Sequence, residues 1–165
     1  AVILEKLISA GFVPAAVVCN PDRPVGRKKV LTAPPVKQLI TNGKWQIEIF
    51  QPEALSSLIS RLSSLKPDFF VVAAYSKIIP KEILAIPRLG TIGVHPSLLP
   101  KYRGATPIQS AILGGEKETG VVLYRMDEKV DHGPLLANYQ LTITNYQTYK
   151  DLELKLAEAA GELLV

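Results

Sequence analysis

A histidine and an aspartate are the two residues of this 165-residue sequence best suited to acid–base chemistry. His95 follows the apolar stretch 90–94, and Asp131 falls in a polar loop after the apolar stretch 120–126. A carboxylate beside an imidazole fixes its tautomer and stabilises its charged form, so such a pair can move protons. Each residue also has a plainer use. His95 can cap a strand end by hydrogen bonding, and Asp131 can serve a turn. The two types alone name no reaction, so the fold must first bring them together.

The elements that would do so read as alternating helices and strands. Apolar spacing predicts a helix over 1–10, stopped by Gly11, and a buried strand over 13–19. Residues 20–29 carry prolines, a glycine and four cations, and read as a loop. A short helix over 35–42 and a short strand over 46–49 follow. Pro52 is expected in the first turn of a helix running to about residue 65, where its missing N–H is harmless. Residues 68–74 form the clearest buried strand, and 80–84 one helical turn. A strand over 90–94 leads through a long loop, 95–106, into a helix over 107–113. Strands over 120–126 and 135–143 flank the loop 127–134, and an amphipathic helix over 147–164 closes the chain. This order predicts an α/β fold with a mainly parallel sheet flanked by helices. The connection between the last two strands is too short for a parallel crossover, so they should pair antiparallel. Ligands of open α/β sheets bind outside the carboxyl ends of the strands, which points to the loops 75–80, 95–106 and 127–134.

Composition narrows the class without naming it. Hydrophobic residues make up 47% and charged residues 21%, an ordinary globular mixture. No apolar run reaches the roughly 18 residues needed to cross a bilayer, so no membrane partner is expected. The single cysteine, Cys19, excludes an internal disulfide and a cysteine-cluster metal site, and fits a reducing cytoplasm. The formal charge of +4 is mild. Its placement is not, because Arg23, Arg27, Lys28 and Lys29 crowd one short segment.

The stretch Gly90-Thr91-Ile92-Gly93-Val94-His95-Pro96-Ser97-Leu98-Leu99-Pro100, continued by Tyr102-Arg103-Gly104 and Pro107-Ile108, resembles the signature of folate-dependent formyltransferases. Glu118-Thr119-Gly120-Val121, Met126-Asp127-Glu128 and Asp131-His132-Gly133 resemble a second stretch of the same family, in the same order. Agreement this long is more specific than a lone short motif. The resemblance implies a Rossmann-like formyltransferase fold. It also implies transfer of a formyl group from 10-formyltetrahydrofolate, acting as donor substrate, to a primary amine, with no metal. His95 then matches the active-site histidine and Asp131 the aspartate behind it. Tyr75, Ser97, Leu98, Leu99 and Pro100 match the folate pocket. The amine attacks the formyl carbon and leaves an oxyanion that needs positioned donors.

Two departures bear on that chemistry. The family places asparagine two positions before the histidine, where Gly93 stands here, so Gly93 occupies a catalytic position without its oxyanion donor. Such a loss costs about 100- to 1,000-fold in rate; a large rate gain in Gly93→Asn would mark a crippled enzyme, and no turnover in either form a binding role. Ser76 stands where glycine is usual. The family also begins with a strand and loop before the first helix, and its tRNA-formylating members carry a C-terminal barrel. The sequence therefore reads as one catalytic domain, 1–165, lacking that first strand and that barrel.

Among acceptors, the basic segment resembles an insertion of the members that formylate initiator methionyl-tRNA in translation initiation. Arg23, Arg27, Lys28, Lys29 and Arg103 are then the expected tRNA contacts, in a monomer. Clustered cations on a loop can neutralise phosphates and release counterions; the plainer use is a solvated basic turn. Two alternatives stay open. One is a family member acting on a sugar nucleotide, glycinamide ribonucleotide or water. The other is a folate- or RNA-binding relative without catalysis, suggested by Gly93. His132 is expected to be a loop residue that could tune Asp131.

Overall fold

The computed structural model describes residues 1–143 and 148–165. Helix α1, Val2–Ser9, ends before Gly11, which takes a positive φ of 90°. Strand β1 is Ala16–Val18, and the basic segment forms the hairpin β2, Arg23–Val25, and β3, Val30–Thr32. Helix α2, Pro35–Gly43, starts on a proline and leads to β4, Glu48–Phe50. A 3₁₀ turn at Leu55–Leu58 precedes α3, Ile59–Ser64. Strand β5 is Phe70–Ala73, α4 is Lys81–Leu84 and β6 is Thr91–His95. Helix α5, Pro107–Leu113, separates β6 from β7, Glu118–Arg125. Strand β8, Leu135–Thr142, and helix α6, Tyr149–Leu164, complete the order. The start of α6 expected at residue 147 lies outside the described residues.

Strand pairing follows the expectation in outline and departs from it in two places. β1 pairs parallel with β4, β5 pairs parallel with β6, and β8 pairs antiparallel with β7. β7, however, also runs antiparallel to β6, with His95 opposite Val122 and Ile92 opposite Arg125. The second departure is the basic segment. Read as a loop, it is a two-stranded ribbon in which Pro24 pairs with Leu31. A proline cannot donate to a ladder, but a solvent-facing ribbon tolerates it.

Two further expectations change. Pro52 lies ahead of the 3₁₀ turn, in no helix, and the regular helix begins only at Ile59. Strand β5 is half-buried along its length rather than fully buried. The pairing explains this, since among the described residues β5 has a strand partner on one edge only.

The main core lies on one face of the four-stranded sheet. Val121 of β7 packs with Ile108 of α5 and with Leu152, Leu156 and Ala160 of α6, and Val94 of β6 joins them. Thr148 and Asp151 form a capping box that starts α6. Because strand side chains alternate, Thr91, Gly93 and His95 turn to the opposite face, with Val122 and Tyr124 of β7. The loops 96–104 and 126–134 cover that second face, where the candidate site lies.

Candidate functional site

His95 ends β6 and is 5% exposed. Its ring Nε2 is 2.8 Å from the Tyr102 carbonyl oxygen, to which the N–H donates. Its Nδ1 lies 3.4 Å from Asp131 Oδ1. A proton on Nδ1 turns that contact into an ion pair, so this is where the arrangement holds or moves a proton. Asp131 is held from several directions. The Gly104 N–H donates to its Oδ2 at 2.7 Å, and the Tyr124 hydroxyl donates to its Oδ1 at 3.0 Å. Arg103 Nε donates to its backbone carbonyl at 2.9 Å. Asp131 adopts a left-handed φ of 46°, an unusual backbone state that aspartate tolerates better than most residues.

The pair meets for a reason other than the one expected. β7 is antiparallel to β6, so its carboxyl end sits at the opposite end of the sheet from His95. The loop after β7 must therefore fold back over the sheet face to deliver Asp131. Gly133 makes the return possible. It takes φ 116°, and a Cβ there would stand 2.0 Å from the Arg125 carbonyl oxygen.

Asp131 borders a small cavity of about 130 Å³, lined also by Leu99, Pro100, Arg103, Gly133 and Leu135. His95 meets this wall through its contact with Asp131. A drug-sized ligand normally needs a pocket of about 300 Å³ or more. The volume beside Asp131 suits one end of a drug-sized ligand rather than the whole molecule. Three apolar residues, Leu99, Pro100 and Leu135, share its wall with a carboxylate and a guanidinium.

The other expected folate contacts are dispersed. Ser97 is fully buried, and its hydroxyl donates to the Lys101 carbonyl at 2.6 Å, bracing the loop. Leu98 lines a separate cavity of about 280 Å³ with Lys101, Tyr102, Glu116, Glu118 and Thr119. Tyr75 packs against the apolar cluster of Leu55, Leu62 and Ile83. Its hydroxyl is buried without a partner among the described residues, and burial pushes its ionisation upward. Ser76 accepts a hydrogen bond from the Asn20 amide at 3.2 Å. His132 pairs with Asp127 rather than Asp131, and this contact, above all others, holds the Asp127 carboxyl below its ordinary range.

Of the basic residues, Arg23 lies on β2, while Arg27, Lys28 and Lys29 occupy the exposed turn joining β2 to β3. None of the four has a carboxylate partner among the described residues. The hairpin stem is tied down. Lys37 Nζ donates to Asp22 Oδ2 at 2.9 Å and to Gln51 Oε1 at 2.7 Å. Gln51 in turn donates to Asp22 Oδ1 and to the Asn20 carbonyl. Arg103 lies beside Asp131.

Sequence reasoning missed Tyr124. It is 3% exposed, and burial first, then the Asp131 charge, pushes its ionisation far upward. The available signal was a lone tyrosine in the run Val121-Val122-Leu123-Tyr124, where a phenol must find a partner if buried.

A family model described as formyl transferase matches residues 3–165. The chain belongs to the formyl transferase family. Curated family members similar to it include a methionyl-tRNA formyltransferase of Halalkalibacterium halodurans, 47% identical over 98% of this chain and 51% of the relative. One from Thermotoga maritima is 40% identical over 99% of this chain and 52% of the relative. The chain thus spans about half the length of the curated relatives it matches. Among solved structures, a phosphoribosylglycinamide formyltransferase from Bacillus halodurans superposes with a TM-score of 0.76 at 23% identity, over 98% of this chain and 83% of that one. A formyltetrahydrofolate deformylase from Pseudomonas syringae gives 0.72 at 18% identity, over 98% and 53%. These structural likenesses establish the Rossmann-like formyltransferase fold, which family members with different acceptors share.

Proposed function

We propose that this chain is the formyl-transferring domain of an enzyme that formylates the amino group of initiator methionyl-tRNA, with 10-formyltetrahydrofolate as donor. The observation that carries the reading is the His95–Asp131 contact at the wall of a small cavity. The identity to methionyl-tRNA formyltransferases over nearly the whole chain supports methionyl-tRNA as the acceptor.

The bound folate supplies the activated formyl group, and the chain's own residues do the rest. Leu99 and Pro100 form the apolar wall against which its reacting end would rest. The His95–Asp131 pair takes a proton from the amine as it attacks the formyl carbon, and gives it to the folate nitrogen as the bond from that nitrogen to the formyl carbon breaks and tetrahydrofolate leaves. His95 Nδ1 shares that proton, and the Tyr102 carbonyl fixes the ring through Nε2. The exposed cations of the β2–β3 turn offer the tRNA backbone a phosphate-binding surface tethered close to the sheet.

The test is a formyl-transfer assay on the full natural chain containing these residues, with the acceptor varied. Methionyl-tRNA should be formylated, whereas a sugar nucleotide, glycinamide ribonucleotide and water should not compete. His95→Ala and Asp131→Asn should each lower kcat by about 100- to 10,000-fold. Equal transfer to another acceptor, or wild-type kcat in both variants, would reject the assignment.

A further inference from the structure

Gly93 and Tyr124 lie directly opposite each other on β6 and β7. Their fit is reciprocal. A Cβ built on Gly93 would stand 2.4 Å from Tyr124 Cζ and 2.7 Å from its hydroxyl oxygen. The phenol therefore lies across the glycine, with its hydroxyl in the space a side chain at 93 would fill. That hydroxyl donates to Asp131 Oδ1, the same oxygen that faces His95 Nδ1. The ring is locked by burial among Leu99, Val122 and Met126, so the hydroxyl has little freedom to leave.

We propose that Tyr124 is a positioning residue for the proton-handling pair, and that Gly93 is the cavity that lets its phenol reach Asp131. The proposal rests on the reading of His95 and Asp131 given above. One carboxylate oxygen is held by Gly104 N–H and the other by the Tyr124 hydroxyl, so the carboxylate plane is fixed relative to the imidazole. Without the phenol, Asp131 can rotate about its side-chain bond and lose its alignment with Nδ1. The absence of asparagine at 93 is then one half of a paired arrangement rather than a simple loss. It also follows that the single change Gly93→Asn, expected from the sequence to restore a donor, would displace Tyr124 and release Asp131.

The experiment is Tyr124→Phe in the full natural chain, with His95→Ala as the control. Phenylalanine keeps the ring and its packing and removes only the hydroxyl. The kcat for formyl transfer should fall about tenfold or more, as expected for losing a hydrogen bond to a charged group. The KM for the folate should stay within about twofold, because the residue does not line the cavity. The ¹⁵N signals of the His95 imidazole should move in the variant, because they report what faces Nδ1. An unchanged kcat, or imidazole signals that do not move, overturns the proposal. Should the unaltered chain transfer no formyl group to any acceptor, the functional reading fails by itself. The imidazole signals then decide alone whether Tyr124 positions the pair.

Discussion

Replacing Gly93 by alanine adds one methyl group where the structure has no room. The new carbon would stand 2.4–2.7 Å from two ring carbons and the hydroxyl oxygen of Tyr124, well inside van der Waals contact. Neither side yields easily. Gly93 sits in a strand paired with β5 and β7, and Tyr124 is packed against Leu99 and Val122. Overpacking of a close-fitted core costs about 1–3 kcal/mol. Moving the phenol also strains its hydrogen bond to Asp131, worth about 1.5–3 kcal/mol when the acceptor is charged. One displacement serves both, so the two do not add, and a total of about 2–3 kcal/mol is expected. For a domain of this size that lowers Tm by about 4–12 °C. Thermal unfolding followed by circular dichroism measures it. The double variant Gly93→Ala/Tyr124→Val removes the clash, so its destabilisation should be smaller than the sum of the singles by about 1 kcal/mol or more. A Gly93→Ala protein melting within a degree of the parent, or singles that simply add, would refute the packing argument.

Two other outcomes follow from the basic hairpin. Replacing Arg27, Lys28 and Lys29 together by alanine should weaken tRNA binding and reduce the slope of log affinity against log salt by about 2–3, with kcat at saturating tRNA nearly unchanged; filter binding at several salt concentrations measures the slope. Lys37→Met should loosen the hairpin stem, since Gln51 and Lys37 hold the Asp22 carboxyl below its ordinary range. A depressed folded value contributes stability that is present above the ordinary aspartate value, about 3.9, and is lost as pH falls through the folded one. The variant should therefore melt lower than the parent near neutral pH, and the gap should narrow below about pH 4; a gap constant across that range would exclude the linkage.

The sequence alone determined much of this molecule. The order of its motifs identified the family, because Pro96–Pro100 and Asp131–Gly133 each need specific residue types at fixed local spacings. Apolar periodicity placed β5, β6, β7, β8, α5 and the body of α6 within a few residues, since burial of a strand or helix face is written locally. The basic segment was visible as a charge cluster, but Pro24 hid its strand character.

Only the tertiary structure decided what lies opposite what. The direction of β7 against β6, and hence the return path of the loop that delivers Asp131, depends on pairing between distant segments, which no local pattern specifies. The same register sets Tyr124 over Gly93. Read along the chain, Gly93 is a missing donor; read across the sheet, it is the space a phenol occupies to reach a carboxylate. Side chains from distant parts of a sequence acquire a chemical relation only when the backbone ladder fixes their separation, so composition and spacing could name the histidine and the aspartate but not the tyrosine between the strands.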